Sequence, residues 1–289
     1  TGDDGTVRIW DPATGTQVGE PLTGHTDEVN AVEVFTAPDG TPRLATTGDD
    51  GTVRIWDPAT GTQVGEPLTG HTDEVNAVAV FTAPDGTPRL ATGGSDRTVR
   101  IWDPATGTQV GEPLTGHTGR VRATAVFTAP DGTPRLATGA DGYDGTVQIW
   151  DPATGAQMGE SPTGHTRGVY AVAVFTAPDG TPRLATGGSN GTVRIWDPAT
   201  GTQVGEPLTG HTGGVYAVAV FTAPDGTPRL ATGGDDGTVR VWNPRTRTTH
   251  TLLLADRVRA LTEHRGLLVA VTASGYLTID ISSVPTDTT

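Results

Sequence analysis

Short runs of alternating apolar and polar residues recur along the chain, separated by clusters of Gly, Pro, Asp and Thr. V-N-A-V-A-V-F (75–81) alternates with period two and is rich in β-branched residues, which predicts a strand. T-A-P-D-G-T-P then predicts a turn, because Pro sets φ and Gly supplies the left-handed position. R-L-A-T-G-G (89–94) predicts a second short strand. After an Asp/Gly turn, T-V-R-I-W-D (98–103) predicts a third, with Val99 and Ile101 on one face and Arg100 and Trp102 on the other. D-P-A-T-G is another tight turn, and T-Q-V-G-E-P-L (108–114) reads as a fourth, outermost strand. Its Pro is tolerable there, since an edge strand need not donate every N–H. No stretch has helical periodicity.

This unit repeats. The six Trp fall at 10, 56, 102, 150, 196 and 242, at spacings of 46, 46, 48, 46 and 46 residues. His25, His71, His117, His165 and His211 follow the same beat. The segment from His25 to Gly70 matches that from His71 to Gly116 at 42 of 46 positions, as a recently duplicated unit would. Four short antiparallel strands per unit, repeated in series, describe a β-propeller.

The G-H and W-D dipeptides, as at Gly70–His71 and Trp102–Asp103, resemble the signature of the WD-repeat family, of the bacterial type with near-identical repeats. The resemblance is clear over residues 1–254 and weak over 255–283. It implies an all-β propeller of four-stranded antiparallel blades. Strand counting expects five complete blades over 29–254, a partial first blade at 1–22, a degenerate last blade at 257–281 and a flexible tail at 284–289. Seven blade positions then leave a gap at the seam between the termini. Six-bladed closure, pairing 257–273 with 6–22, is the alternative; it would strand the apolar run at 276–281. The open seam exposes strand edges and invites self-association.

The resemblance also assigns the recurring polar residues a structural role, a hydrogen-bond chain from Trp through Thr to His and on to Asp. The implied sets are His25, Thr46, Asp50 and Trp56; His71, Thr92, Asp96 and Trp102; His117, Thr138, Asp144 and Trp150; His165, Thr186, Asn190 and Trp196; and His211, Thr232, Asp236 and Trp242. The chemistry is sensible in itself: a buried indole N–H needs an acceptor, and a hydroxyl both accepts and donates. Asn190 breaks the pattern, because an amide cannot supply a carboxylate's charge, and its blade is expected to be the weakest of the five.

Composition narrows the chemistry. There is no Cys, so no thiolate metal site or Cys nucleophile, and the redox compartment is left open. The net charge of −14 argues against non-specific nucleic-acid binding, which needs cations to neutralise phosphates. No apolar run is long enough to span a membrane as a helix. No Ser recurs beside a His, no two His lie at i, i+4, and the Asp-rich turns lack alternating calcium ligands. No catalytic residue, metal or cofactor is expected. The chain starts at Thr1 and its one Met is Met158, so it reads as a piece of a longer protein.

The repeats differ in two places. One follows G-H-T and holds Asp27, Glu28 and Asn30, then Asp73, Glu74 and Asn76, then Arg120 and Arg122, then Arg167 and Tyr170, then Tyr216. The other is the turn before the third strand, with Asp49, Ser95, Arg97, Tyr143 and Asp235. In a propeller both loops emerge on one face, whereas the A-P-D-G-T-P and D-P-A-T-G turns of the opposite face barely vary. A rigid frame presenting different side chains suits a partner-binding surface. Acids come first and Arg later, with Arg257 and Arg259 in the last unit, so the expected partner is a protein or peptide with charges of both signs. A non-enzymatic interaction scaffold is therefore the leading function. A spacer or sensor module of a larger bacterial signalling protein is the alternative, and a propeller enzyme or small-molecule binder comes third.

Two oddities remain. Glu33 stands where other repeats have Ala, on an inner strand where a buried carboxylate is costly. After Trp242, N-P-R-T-R-T-T-H replaces the usual turn, and the last unit has Asp280 at its expected Trp position.

Overall fold

The computed structural model describes residues 4–11, 14–254, 256–264, 267–272 and 275–281. Every regular element among them is a β-strand, so the all-β class holds. The first sheet pairs β1 (Thr6–Asp11) with β2 (Thr16–Thr23). The next has β3 (Val29–Thr36), β4 (Pro42–Gly48), β5 (Val53–Asp57) and β6 (Thr62–Gln63) in sequence order. The same order recurs in β7 (Val75–Thr82), β8 (Pro88–Gly94), β9 (Val99–Asp103) and β10 (Thr108–Gln109). Then come β11 (Val121–Thr128), β12 (Pro134–Ala140) and β13 (Val147–Trp150). Four-stranded order returns in β14 (Val169–Thr176), β15 (Pro182–Gly188), β16 (Val193–Asp197) and β17 (Thr202–Gln203). It recurs in β18 (Val215–Thr222), β19 (Pro228–Gly234), β20 (Thr238–Trp242) and β21 (Thr249–Leu253). The last sheet is β22 (Val258–His264), β23 (Leu267–Thr272) and β24 (Gly275–Asp280). The tail expected at 284–289 lies outside the described residues.

The chain divides into two compact units. The first holds Thr1–Val126, Thr133–Thr138 and Trp150–Gln157; the second holds Phe127–Gly132, Gly139–Ile149 and Met158–Thr289.

In the first unit, each third strand serves two neighbours, as its alternation predicts. Val53 and Ile55 of β5 pack with Leu90 and Trp102 of the following repeat. Val99 and Ile101 of β9 pack in turn with Leu136 and Trp150. The sheets are thus buried on both faces, and deleting a fully buried Leu from such a layer costs about 2–5 kcal/mol. The second unit repeats the scheme, with Val193 and Ile195 against Leu230 and Trp242. Its last layer sets Val239 and Val241 against Leu268 and Ala270, with Ile279 alongside.

Four expectations change. The fourth strand is not continuous over 108–114. Only Thr108–Gln109 pairs as a strand, and contact resumes at an isolated bridge between Val99 and Leu114. Gly111 turns the chain at φ +72°, and Pro113 has no N–H to pair. Arg100 holds the bulge in place by donating to Gln109 Oε1 at 2.5 Å, while Gln109 Nε2 donates to the Gly111 carbonyl at 2.8 Å.

In the third repeat the fourth strand is reduced to two isolated bridges, Trp150 to Gln157 and Thr146 to Thr163. Pro162 stands there where the other repeats carry the buried Leu68, Leu114 or Leu208, so the returning N–H is lost.

In the last sheet Leu268 pairs with Ile279, as Leu230 pairs with Trp242. Ile279, not Asp280, therefore occupies the Trp position, because the β23–β24 connection is one residue shorter.

Glu33 keeps access to the surface, whereas its counterparts Ala79 and Ala219 are 6% and 8% accessible, and the partial desolvation that remains raises its carboxyl pKa above the ordinary value. Val32 and Val34 beside it are 43% and 65% accessible, although their counterparts Val78 and Val80 are half-buried against the preceding sheet. Among the described residues the first sheet comprises β1 and β2, and Val32 and Val34 on the adjoining face of β3 are left accessible.

Candidate functional site

The recurring polar residues form a chain of hydrogen bonds, complete from Trp to Asp in the first, second and fifth repeats. In the second repeat Trp102 Nε1 donates to Thr92 Oγ1 at 2.8 Å, and His71 Nε2 lies 2.8 Å from the same oxygen. His71 Nδ1 lies 2.9 Å from Asp96 Oδ2. One proton arrangement satisfies every atom. The indole donates to Thr, the Thr hydroxyl donates to Nε2, and Nδ1–H donates to the carboxylate. The first repeat repeats this with His25, Thr46, Asp50 and Trp56, and the fifth with His211, Thr232, Asp236 and Trp242. Thr46, Thr92 and Thr232 have no accessible surface. In the third repeat His117 and Trp150 both meet Thr138 at 2.8 Å. Asp144 accepts from the Thr146 N–H at 3.1 Å.

Backbone geometry explains the Gly of G-H. A Cβ on Gly70 would stand 3.0 Å from the edge of the Trp102 indole, and one on Gly24 would stand 2.9 Å from Trp56.

Sequence reasoning missed part of this chain. Thr98 and its counterparts Thr52 and Thr238 donate hydroxyl and N–H to the turn Asp, and the Thr26, Thr72 and Thr212 N–H groups donate to its other oxygen. The signal was present, since Thr recurs at each of these positions. Burial alone would raise the Asp236 pKa, yet bonds from Thr212, His211 and Thr238 outweigh it and hold the group at about 2. The same balance keeps Asp50 and Asp96 below the usual carboxylate range. Burial pushes His25 and His211 below the ordinary imidazole value, against the pull of their Asp partners. These His are therefore neutral connectors inside the sheets.

Asn190 departs as expected, and in a specific way. His165 Nδ1 lies 3.2 Å from Asn190 Oδ1, and the Thr192 N–H reaches that oxygen at 3.4 Å. The Asn amide nitrogen takes the place of the second carboxylate oxygen and cannot accept from the Thr166 N–H. Burial, joined by the charge of Arg194, lowers the His165 pKa to about 4.

The positions that vary among repeats do not simply point into solvent. In the first unit they pair with one another both within a repeat and across neighbouring repeats. Asn30 donates to Asp49 at 2.7 Å and to the Val75 carbonyl at 3.0 Å. Glu74 accepts from Ser95 at 3.0 Å and faces Arg120 at 3.6 Å. Asn76 donates to Ser95 at 3.1 Å and accepts from Arg122 at 2.7 Å. Asp27 and Asp73 stay exposed, each bound to the next backbone N–H. Glu28 is half-buried and its carbonyl accepts from Asp49 N–H at 2.9 Å. Arg97 is exposed with φ +67°, where the corresponding turns have Gly.

In the second unit Tyr170 and Tyr216 stack, with centroids 4.6 Å apart and planes 8° from parallel. Arg257 lies 5.5 Å over the Tyr216 ring and pairs with Asp235 at 2.5 Å. Burial, with Asp235 close by, pushes the Tyr216 phenol up to about 12. Arg167 and Arg259 are exposed, and Tyr143, on the two-residue insertion, is 97% accessible.

A family model described as WD domain, G-beta repeat matches residues 15–57, 61–103, 107–151, 158–197 and 201–243. A comparison with curated proteins gives no match to the chain.

Proposed function

The chain belongs to the WD-domain, G-beta-repeat family, whose members are all-β propellers that generally serve as non-enzymatic protein-interaction scaffolds, and from that premise we propose that it binds a protein or peptide through the loops after G-H and before the third strand. The observation that carries this reading is the ladder of Tyr170, Tyr216 and Arg257, which joins three consecutive repeats at positions where the copies differ. Tyr and Arg are the residue types enriched at binding hot spots, and a stacked pair is already ordered before a partner arrives. The pairing of Glu74 with Arg120 refines the picture of a face with charges of both signs: part of that charge is spent between neighbouring repeats. Asp27 and Asp73, and separately Arg167 and Arg259, are then the charges offered to a partner.

The test is capture of partners by the intact chain, compared with a chain carrying Arg120, Arg122, Arg167 and Tyr170 as Ala. Loss of the same captured species from the variant supports the assignment, and unchanged capture refutes it. A second copy is the proposed occupant of the open β3 face, supported by the exposure of Val32 and Val34.

A further inference from the structure

The turn after Trp242 breaks a pattern kept elsewhere. Arg245 replaces Ala59, Ala105 and Ala199; Arg247 replaces Gly61, Gly107 and Gly201; His250 replaces Val64, Val110 and Val204; and Asn243 replaces Asp57, Asp103 and Asp197. All four replacements lie at the ends of the strands away from the variable loops. Three of them line or flank a cleft of about 870 Å³ between the fourth and fifth repeats, and the fourth braces its wall. The cleft opens onto the apolar layer between those sheets. Phe175 and Ile195, 6% and 4% accessible, form its floor with Val204.

Most charges around the cleft are already matched. Arg183 lies 3.6 Å from Asp197 and 3.7 Å from Asp179. Arg229 finds no carboxylate at Asn243 and instead pairs with Asp225 at 3.1 Å. Arg247 keeps the left-handed backbone of the Gly it replaces, at φ +64°, and donates to the carbonyls of Val204 and Glu206. That clamp fixes the wall formed by the fourth repeat. Arg245 and His250 are different. Both are exposed at the cleft, and among the described residues neither side chain has a hydrogen-bond or ion-pair partner. In a chain of net charge −14, Arg245 is an unmatched cation and the His250 imidazole an unused polar group on the lining of a cleft with an apolar floor.

We infer that this cleft binds a short acidic peptide segment of a partner protein, with an apolar side chain seated on Phe175, Ile195 and Val204 and an adjacent carboxylate held by Arg245 and His250. The volume is at the upper end of the few hundred to about 1,000 Å³ usual for specific ligand sites, enough for a few residues of extended chain. Pro178, Pro228 and Pro244 in the lining carry no N–H, so recognition runs through side chains rather than by adding a strand. Arg245 supplies the planar fork that suits a carboxylate. The site shares no residue with the variable loops and stands or falls independently of them.

A phage-displayed random heptapeptide library, selected on the intact chain, tests the inference. The selected peptides should carry Asp or Glu beside Leu, Ile or Phe. Their affinity should fall tenfold or more for Arg245→Ala/His250→Val, which installs the residues of the other repeats and leaves the melting temperature unchanged. Arg245→Glu should shift selection toward Lys- and Arg-bearing peptides. The inference is overturned if no peptide is selected, if selected peptides lack acids, or if they bind the double variant as tightly as the intact chain.

Discussion

Replacing Asn190 with Asp should strengthen the fourth repeat. At Asp50, Asp96 and Asp236 the turn carboxylate takes bonds from the His, from the Thr two residues on, and from the N–H after the His, as Asp50 does from Thr52 N–H at 3.0 Å and Thr26 N–H at 3.1 Å. Asn190 takes the Thr192 N–H bond at 3.4 Å and offers nothing to Thr166. Asn190→Asp converts the neutral bond from His165 into a charge-assisted one and restores an acceptor for Thr166. Bonds to charged groups contribute about 1.5–3 kcal/mol each, and desolvating the new carboxylate offsets part of that, so the net gain is about 1.5 kcal/mol at pH 7. At roughly 2 °C per kcal/mol for a chain of this size, the melting temperature should rise by about 3 °C.

The pH dependence gives a second readout. His165, at about 4, lies below its ordinary value near 6.5. A depressed imidazole contributes full stability above the unfolded pKa, and that stability drains as pH falls from about 6.5 toward 4, by up to about 3 kcal/mol. A carboxylate at position 190 stabilises the imidazolium, so the variant's advantage should widen on going from pH 7 to pH 5. Urea or thermal unfolding at both pH values, with an NMR titration of His165, measures this. A variant no more stable than the native chain, or one with an unmoved His165 titration, would refute the reasoning.

Other outcomes follow from the same contacts. Arg97→Gly should stabilise by about 1 kcal/mol in urea unfolding, since φ +67° is strained for Arg and ordinary for Gly. Trp102→Phe removes the indole donor to Thr92 and should cost about 1–2 kcal/mol beyond the small loss of packing; unchanged stability would show that the bond contributes nothing. Val34→Thr should weaken self-association in sedimentation if a second copy covers the β3 face, without lowering the melting temperature, because Val34 is 65% accessible. Glu74→Gln should leave the fold intact and change stability by less than about 1 kcal/mol, because Arg120 across from it is exposed.

The sequence by itself determined the repeating unit and the three inner strands of each copy, and the family resemblance implied the internal hydrogen bonds. Strand alternation is local, and the Trp, Thr, His and Asp of one chain recur at fixed offsets, so near-identical copies expose the pattern. What the sequence could not settle lies between copies. Arg122 and Asn76, or Tyr170 and Tyr216, sit one repeat apart, and nothing in their identity announces that they touch; adjacency of sheets decides it. The last sheet's register, with Ile279 opposite Leu268, depends on the length of a connection rather than on a motif. The outer strand looked continuous in sequence, but Gly111 and Pro113 let it bulge, and only pairing geometry reveals where contact resumes. Val32 and Val34 have the same residue type and strand position as Val78 and Val80 yet are exposed, because burial is a property of the neighbouring layer. The cleft that Arg245 and His250 flank has the same origin: the chain supplied unusual residues in a turn, and the packing of two sheets placed them over apolar surface.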